Sequence, residues 1–167
     1  MEKKTFILVA FVFAVLPALQ AQTAYDKKLN SLYKNTVPQI KPSDVKLKIE
    51  EGKQIVLLDT RSPEEYSVSH LPDAKFVDYK AFKSTDVIQI DKNAEIVVYC
   101  TVGYRSERIG EKLIDMGFTN VKNLYGGIFQ WANEERLLLN NRDQPTDSVH
   151  TYSRSWSSWL QHGIKVY

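Results

Sequence analysis

Cysteine is nearly absent from this chain of 167 residues: Cys100 is the only one, so no internal disulfide can form. Histidine is scarce as well. His70, His150 and His162 stand far apart, none at ligand spacing to Cys100, and no zinc pattern results, so no metal or other cofactor is expected. Charge of one sign is also lacking, with 22 Lys+Arg against 20 Asp+Glu, and no whole-chain field draws nucleic acid or anionic lipid. The longest apolar run, Phe6 to Leu16, falls short of the ~20 residues that span a bilayer. No internal repeat or low-complexity tract is visible. What remains is an ordinary globular composition, 43% hydrophobic.

The short apolar run has its own meaning. Lys3 and Lys4 precede it, and Pro17 and Ala18-Leu19-Gln20-Ala21 follow, the order of a secretory signal peptide. Residues 1–21 are therefore expected to be removed on export to the periplasm or the medium, with no stable membrane insertion afterwards. An uncleaved anchor is the competing reading. Behind the signal the sequence predicts a helical lead-in over 22–37, a single domain over 38–140, and a segment over 141–167 docked on that domain through Tyr152, Trp156 and Trp159.

Within the domain, short apolar runs alternate with helical patterns. Tyr25, Leu29, Leu32 and Tyr33 recur at helical spacing, and Pro42-Ser43 opens a second helix that Gly52 stops. Ile55-Val56-Leu57-Leu58 reads as a strand buried on both faces, ended by Asp59-Thr60-Arg61. Ser62-Pro63-Glu64-Glu65 then forms a capping box with Pro at the first helical position, so a short helix starts there. Ile96-Val97-Val98-Tyr99 is the next strand. Ile109, Leu113 and Met116 give a helix stopped by Gly117; Val121 to Leu124 is a further strand, Gly126-Gly127 a turn, and Ile128 to Glu135 a helix. Such alternation implies an α/β fold: an open parallel sheet with helices on both faces.

Cys100 follows the second of these strands, and in open α/β sheets ligands bind outside the carboxyl ends of strands. Thr101, Val102, Gly103, Tyr104 and Arg105 lie between that strand and the next helix. Their backbone N–H groups can curl around one point while the helix start adds partial positive charge. Such a cradle stabilises an anion, and the Cys100 thiolate is the first one available. Gly103 eases the turn and Arg105 adds a full positive charge. A buried, inert cysteine at a strand end is the plainer alternative.

At this point the residues resemble a known family. "CTVGYRS" is similar to the C-x-x-G-x-R-S loop of single-domain rhodanese-like sulfurtransferases, "LLDTRSPEEYSVSHLPDA" to their Asp-x-Arg turn, acidic helix and His-Ile/Leu-Pro-Gly-Ala segment, and "NLYGGIFQW" to their Gly-Gly-x-x-x-Trp segment. The likeness covers residues 38–140 in the family's order. Asp73 departs from it, standing where the family usually has glycine. The resemblance implies that Cys100 attacks the outer sulfur of thiosulfate or a similar small donor, becomes a persulfide, and passes the sulfur to a thiol or cyanide acceptor. A protein acceptor stays open.

Two further classes stand beside this reading: a rhodanese-fold carrier or partner-binding module without catalysis, and a cysteine phosphatase. The phosphatase loop has five residues between Cys and Arg, whereas Thr101 to Tyr104 are four, and the smaller ring favours sulfur. Asp59 and Arg61 are read as a structural ion pair, His70 as a packed histidine, and Trp131 as core. Gly126 and Gly127 are read as allowing close approach beside the loop, and His150 and Tyr152 as residues that reach the site if the C-terminal segment folds back.

Overall fold

A computed structural model describes residues 24–167. The expected signal peptide at 1–21 lies outside the described residues. Two compact units emerge, one ending at Leu32 and one spanning Tyr33–Tyr167. The first contributes helix α1 over 24–30. Tyr33, expected at the end of that helix, belongs to the second unit, to which the rest of this section refers.

A five-stranded sheet carries the fold, in the order β1-β5-β4-β2-β3, with β1 Gln39–Ile40, β2 Ile55–Asp59, β3 Lys75–Phe76, β4 Glu95–Tyr99 and β5 Val121–Leu124. Every neighbouring pair is parallel. The apolar runs that predicted strands occupy its centre: β2 and β4 pair over their full five residues, from Ile55 beside Glu95 to Asp59 beside Tyr99. Continuous apolar sequence suits strands buried on both faces. Leu58, Ile96, Val98, Ile109, Leu113 and Phe118 form the core at this centre.

Helices connect the strands: α2 Pro42–Glu50, α3 Pro63–Val68, α4 Tyr104–Asp115 and α5 Gly127–Asn133. The capping box of α3 is formed, with Ser62 Oγ accepting from Glu65 N–H and Glu65 accepting from Ser62 N–H. Proline at its first position loses no hydrogen bond there. α5 ends at Asn133, two residues before the expected end, because Glu135 adopts the left-handed φ of 53°.

Topology fixes where a ligand can reach. From β2 the chain moves through α3 to β3; from the adjacent β4 it moves through α4 to β5, on the opposite side. The carboxyl ends of β2 and β4 are thus a topological switch point, where departing chains leave a crevice. Thr60 binds across it, its N–H and Oγ1 both donating to the Tyr99 carbonyl at 2.8 and 3.0 Å.

Beyond the sheet, residues 139–145 form a turn held by bridges from Leu139 to His70 and Pro145. The C-terminal segment then makes a two-stranded parallel ladder, β6 Ser148–His150 with β7 Ile164–Val166, and β6 lies beside α3. The sequence pattern did not predict this ladder. Its strands are three residues each, too short for an alternating signal.

Asp73, where the resemblance expects glycine, has φ 60° and an exposed side chain. That backbone conformation strains most L residues, and aspartate tolerates it better than most. Asp73→Gly is expected to stabilise the fold by about 0.5 kcal/mol, after the entropy that glycine returns to the unfolded chain. The urea midpoint at neutral pH reads this directly; a lower midpoint would show that the turn draws support from the aspartate.

Candidate active site

In the loop after β4 four successive carbonyls are engaged by other segments. The Cys100 carbonyl accepts from Ile128 N–H at 2.9 Å and that of Thr101 from Phe129 N–H at 3.2 Å. Val102 accepts from the Tyr33 hydroxyl at 2.6 Å, and Gly103 from Asn123 Nδ2 at 3.0 Å. Gly103 N–H donates to Cys100 Sγ at 3.2 Å, and no acceptor among the described residues takes the N–H of Thr101, Val102, Tyr104 or Arg105. Unengaged N–H groups on successive loop residues suit an anion, and the Gly103 N–H is already on the sulfur. Cys100 itself is a free, buried cysteine.

One expectation about the loop needs correction. The sequence places Cys100 to Arg105 between strand and helix, yet α4 starts at Tyr104, and Gly103, at φ 98°, is its N-cap. The left-handed glycine turns the chain two residues early. Arg105 therefore projects from the first turn of α4, and Tyr104 sits exposed on that turn, while Val102 is buried.

Arg105 is not a lone cation on the rim. Its Nη1 and Nη2 donate to the two carboxylate oxygens of Glu65 at 2.8 and 2.7 Å, and Nη2 also donates to Thr101 Oγ1 at 2.8 Å. Thr101 Oγ1 donates in turn to Glu65 at 2.9 Å. Burial alone would raise the pKa of Glu65, but the hydrogen bonds and charge of Arg105, with help from Arg61 and Ser62 N–H, hold it down at about 2. The carboxylate is charged throughout the neutral range. Burial disfavours the charge of Arg105, and Glu65 together with the Cys100 sulfur outweighs it and raises the guanidinium pKa.

The supporting residues divide in two. Asp59 and Arg61 lie at the end of β2, wholly buried, with Arg61 Nε and Nη2 on the Asp59 carboxylate and Nη2 also on the Ser69 carbonyl. They join β2 to the segment after α3 and do not touch the sulfur. Gly126 and Gly127 do border the loop: both adopt left-handed φ, and a Cβ on Gly127 would stand 2.3 Å from the Cys100 carbonyl oxygen. Only glycine permits the start of α5 to reach the loop's carbonyls. Trp131 is core, and His70 is packed, stacked on Tyr66 at 4.1 Å. Tyr152 does come to the site, its ring centroid 5.1 Å from Arg105 Cζ, whereas His150 accepts from Tyr152 N–H in its own turn.

Three residues escaped the sequence reading. Glu65 was read only as a cap. Asn123 holds the Gly103 carbonyl and accepts from Ser106 Oγ at 2.7 Å, and an amide in the middle of an apolar strand was its one sequence signal. Tyr33 left no signal. Its hydroxyl donates to Val102 and accepts from Gly126 N–H at 2.9 Å, tying both loops together, and its ring lies against Gly103. Tyr33→Phe removes the donor to the buried Val102 carbonyl and the tie to Gly126, and is expected to cost about 1–3 kcal/mol in denaturant unfolding. A loss below the scatter of the measurement would mean that water replaces the hydroxyl.

Among the described residues no group of three or more His, Cys, Asp or Glu could hold a metal ion, and no helix is long and apolar enough to cross a membrane.

Against known proteins, residues 41–134 match the Rhodanese-like domain family. Adenylyltransferase and sulfurtransferase UBA4 of Candida albicans is 31% identical over 103 residues, 58% of this chain and 24% of that protein. The tRNA uridine(34) hydroxylase of Yersinia pestis is 34% identical over 86 residues, 48% of this chain and 24% of its own length. This chain thus spans about a quarter of the curated relatives it matches. Among solved structures, the BH2092 protein of Bacillus halodurans superposes with a TM-score of 0.58 at 24% identity, covering 71% of this chain and 85% of that one. With a match over more than half of its length, and with Cys100 at the switch point of a parallel sheet, this chain belongs to the family of rhodanese-like domains.

Proposed function

We propose that the protein is a sulfurtransferase that moves a sulfane sulfur from thiosulfate or a similar donor to a thiol or cyanide acceptor through a persulfide on Cys100. The observation that supports it most is the Gly103 N–H donated to Cys100 Sγ at 3.2 Å, in a loop whose four carbonyls are all engaged by other segments. A thiolate and a persulfide are both anions, and the same donors hold both without rearrangement. In the first step the Cys100 thiolate attacks the outer sulfur of thiosulfate; the new S–S bond forms as the old one breaks, and sulfite leaves with the electron pair. In the second step a thiolate or cyanide takes the outer sulfur and Cys100 is released as thiolate. No base is required on the nucleophile when it is already ionised.

The order of lysines, apolar run and small residues before Gln22 supports export, so the transfer is proposed to take place in the periplasm or outside the cell. The decisive experiment is mass spectrometry of the purified protein after exposure to a sulfane donor. A gain of one sulfur atom on Cys100, removed by cyanide or a thiol, is expected. An unmodified Cys100 after contact with thiosulfate and with an organic thiosulfonate would reject sulfur transfer.

A further inference from the structure

We propose that this site selects sulfane donors carrying a single negative charge over dianionic thiosulfate, and that Glu65 is the residue that sets the preference. The inference rests on the sulfur-transfer reading and narrows it to a class of donor.

The charge balance around Cys100 carries it. Arg105 is the cation closest in chain to the loop, and Glu65 takes both of its Nη groups in a two-pronged ion pair while buried to 2% exposure. Thr101 Oγ1 occupies Nη2 as well, and the ring of Tyr152 covers the guanidinium at 5.1 Å from its centroid. The other arginines of the elements that meet here are also matched: Arg61 by Asp59, and Arg108 by Glu107 and Glu111. The thiolate, Arg105 and Glu65 together sum to one negative charge, and the start of α4 returns about half a positive charge. A donor therefore approaches a site that is negative overall.

Coulomb energy is linear in the donor's charge, so a dianion meets twice the repulsion of a monoanion of the same shape. Thiosulfate and the methanethiosulfonate anion form such a pair, since a methyl group replaces one charged oxygen. Both reactions balance. The thiolate attacks the outer sulfur, the S–S bond of the donor breaks, and sulfite leaves in one case and methanesulfinate in the other. Organic persulfides, neutral as R–S–SH, meet less repulsion still: the thiolate takes the outer sulfur with its proton, and R–S⁻ leaves.

Glu65→Gln tests this with little change of shape. Glutamine at this position keeps the capping box with Ser62, and its amide oxygen still accepts from Arg105. Any change in the reactivity of Cys100 acts on both donors and cancels in their ratio. Removing the charge is expected to raise kcat/KM about threefold for methanethiosulfonate and about tenfold for thiosulfate, the square of the first factor, as twice the charge requires. A thiosulfate to methanethiosulfonate ratio left unchanged in the folded variant overturns the proposal. The wild-type protein gives an independent reading: raising ionic strength should increase kcat/KM for thiosulfate, and more steeply than for methanethiosulfonate, because salt screens repulsion. A decrease with salt for thiosulfate would show an attractive site and also overturn it. Failure of Cys100 to accept sulfur from either donor is a different result, one that removes the transfer reading itself and the donor preference with it.

Discussion

Cys100→Ser is expected to abolish sulfur transfer, with turnover falling by at least about 10³-fold, while the protein stays folded. Serine is close in size, and Gly103 N–H, now 3.2 Å from Sγ, can donate to a hydroxyl in the same place. The chemistry cannot follow. A serine hydroxyl is scarcely ionised near neutral pH and forms no persulfide. The chain contains no second cysteine to take over. Thiocyanate formation from donor and cyanide, measured beside the circular dichroism of the variant, reads activity and fold together. Retention of a tenth or more of turnover in a folded variant would reject a covalent intermediate.

The second large effect concerns stability. Asp59→Ala is expected to destabilise the protein by about 3–5 kcal/mol, because it leaves the Arg61 charge buried and unmatched. Arg61 and Asp59 are both wholly buried, and Arg61 donates to Asp59 through its backbone N–H, Nε and Nη2. Its Nη1 already lacks a partner among the described residues. Burial works against the charge of Arg61, and the Asp59 carboxylate overcomes it and raises the guanidinium pKa. The double variant Asp59→Ala with Arg61→Met should therefore lose much less than the single one, since no orphaned charge remains. Urea unfolding of the two variants decides the matter. If the double variant is as unstable as the single, the loss stems from the shape of the Asp59 turn and its link to Ser69, not from the charge.

These two effects separate nucleophile from scaffold at neighbouring strand ends. Cys100 accepts from the Gly103 N–H of its own loop, whereas Arg61 is sealed between β2 and the carbonyl of Ser69. The four-residue loop and the three residues ending β2 look alike in sequence as polar caps on apolar strands. Their roles diverge through where each side chain points.

Much of the architecture was legible without coordinates because it depends on local rules. Continuous apolar runs at 55–58 and 96–99 have only one stable home in a mixed α/β chain, between helices in a parallel sheet. Ser62, Pro63 and Glu65 satisfy the first N–H groups of α3 from within four residues, and Gly103 marks a turn that side chains resist, so these signals needed no partner elsewhere. The candidate loop was legible for the same reason: Cys100, Gly103 and Arg105 are neighbours in the chain.

Tertiary structure decided everything that requires two distant segments to meet. Glu65 and Arg105 are 40 residues apart, and only the pairing of β2 with β4 puts α3 against the start of α4, turning a cap into the partner of the loop's cation. Tyr33 reaches Val102 across 69 positions and Gly126 across 93, and no local pattern distinguishes it from any other tyrosine at the end of a helical stripe. Tyr152 comes over Arg105 because the C-terminal segment returns beside α3, through strands too short to announce themselves. The sequence alone determined where the proposed nucleophile stands in the chain and which sheet presents it, since propensity, capping and turn chemistry act over a few residues; the charge around it is a sum over side chains brought together from the whole domain, and only the folded chain performs that sum.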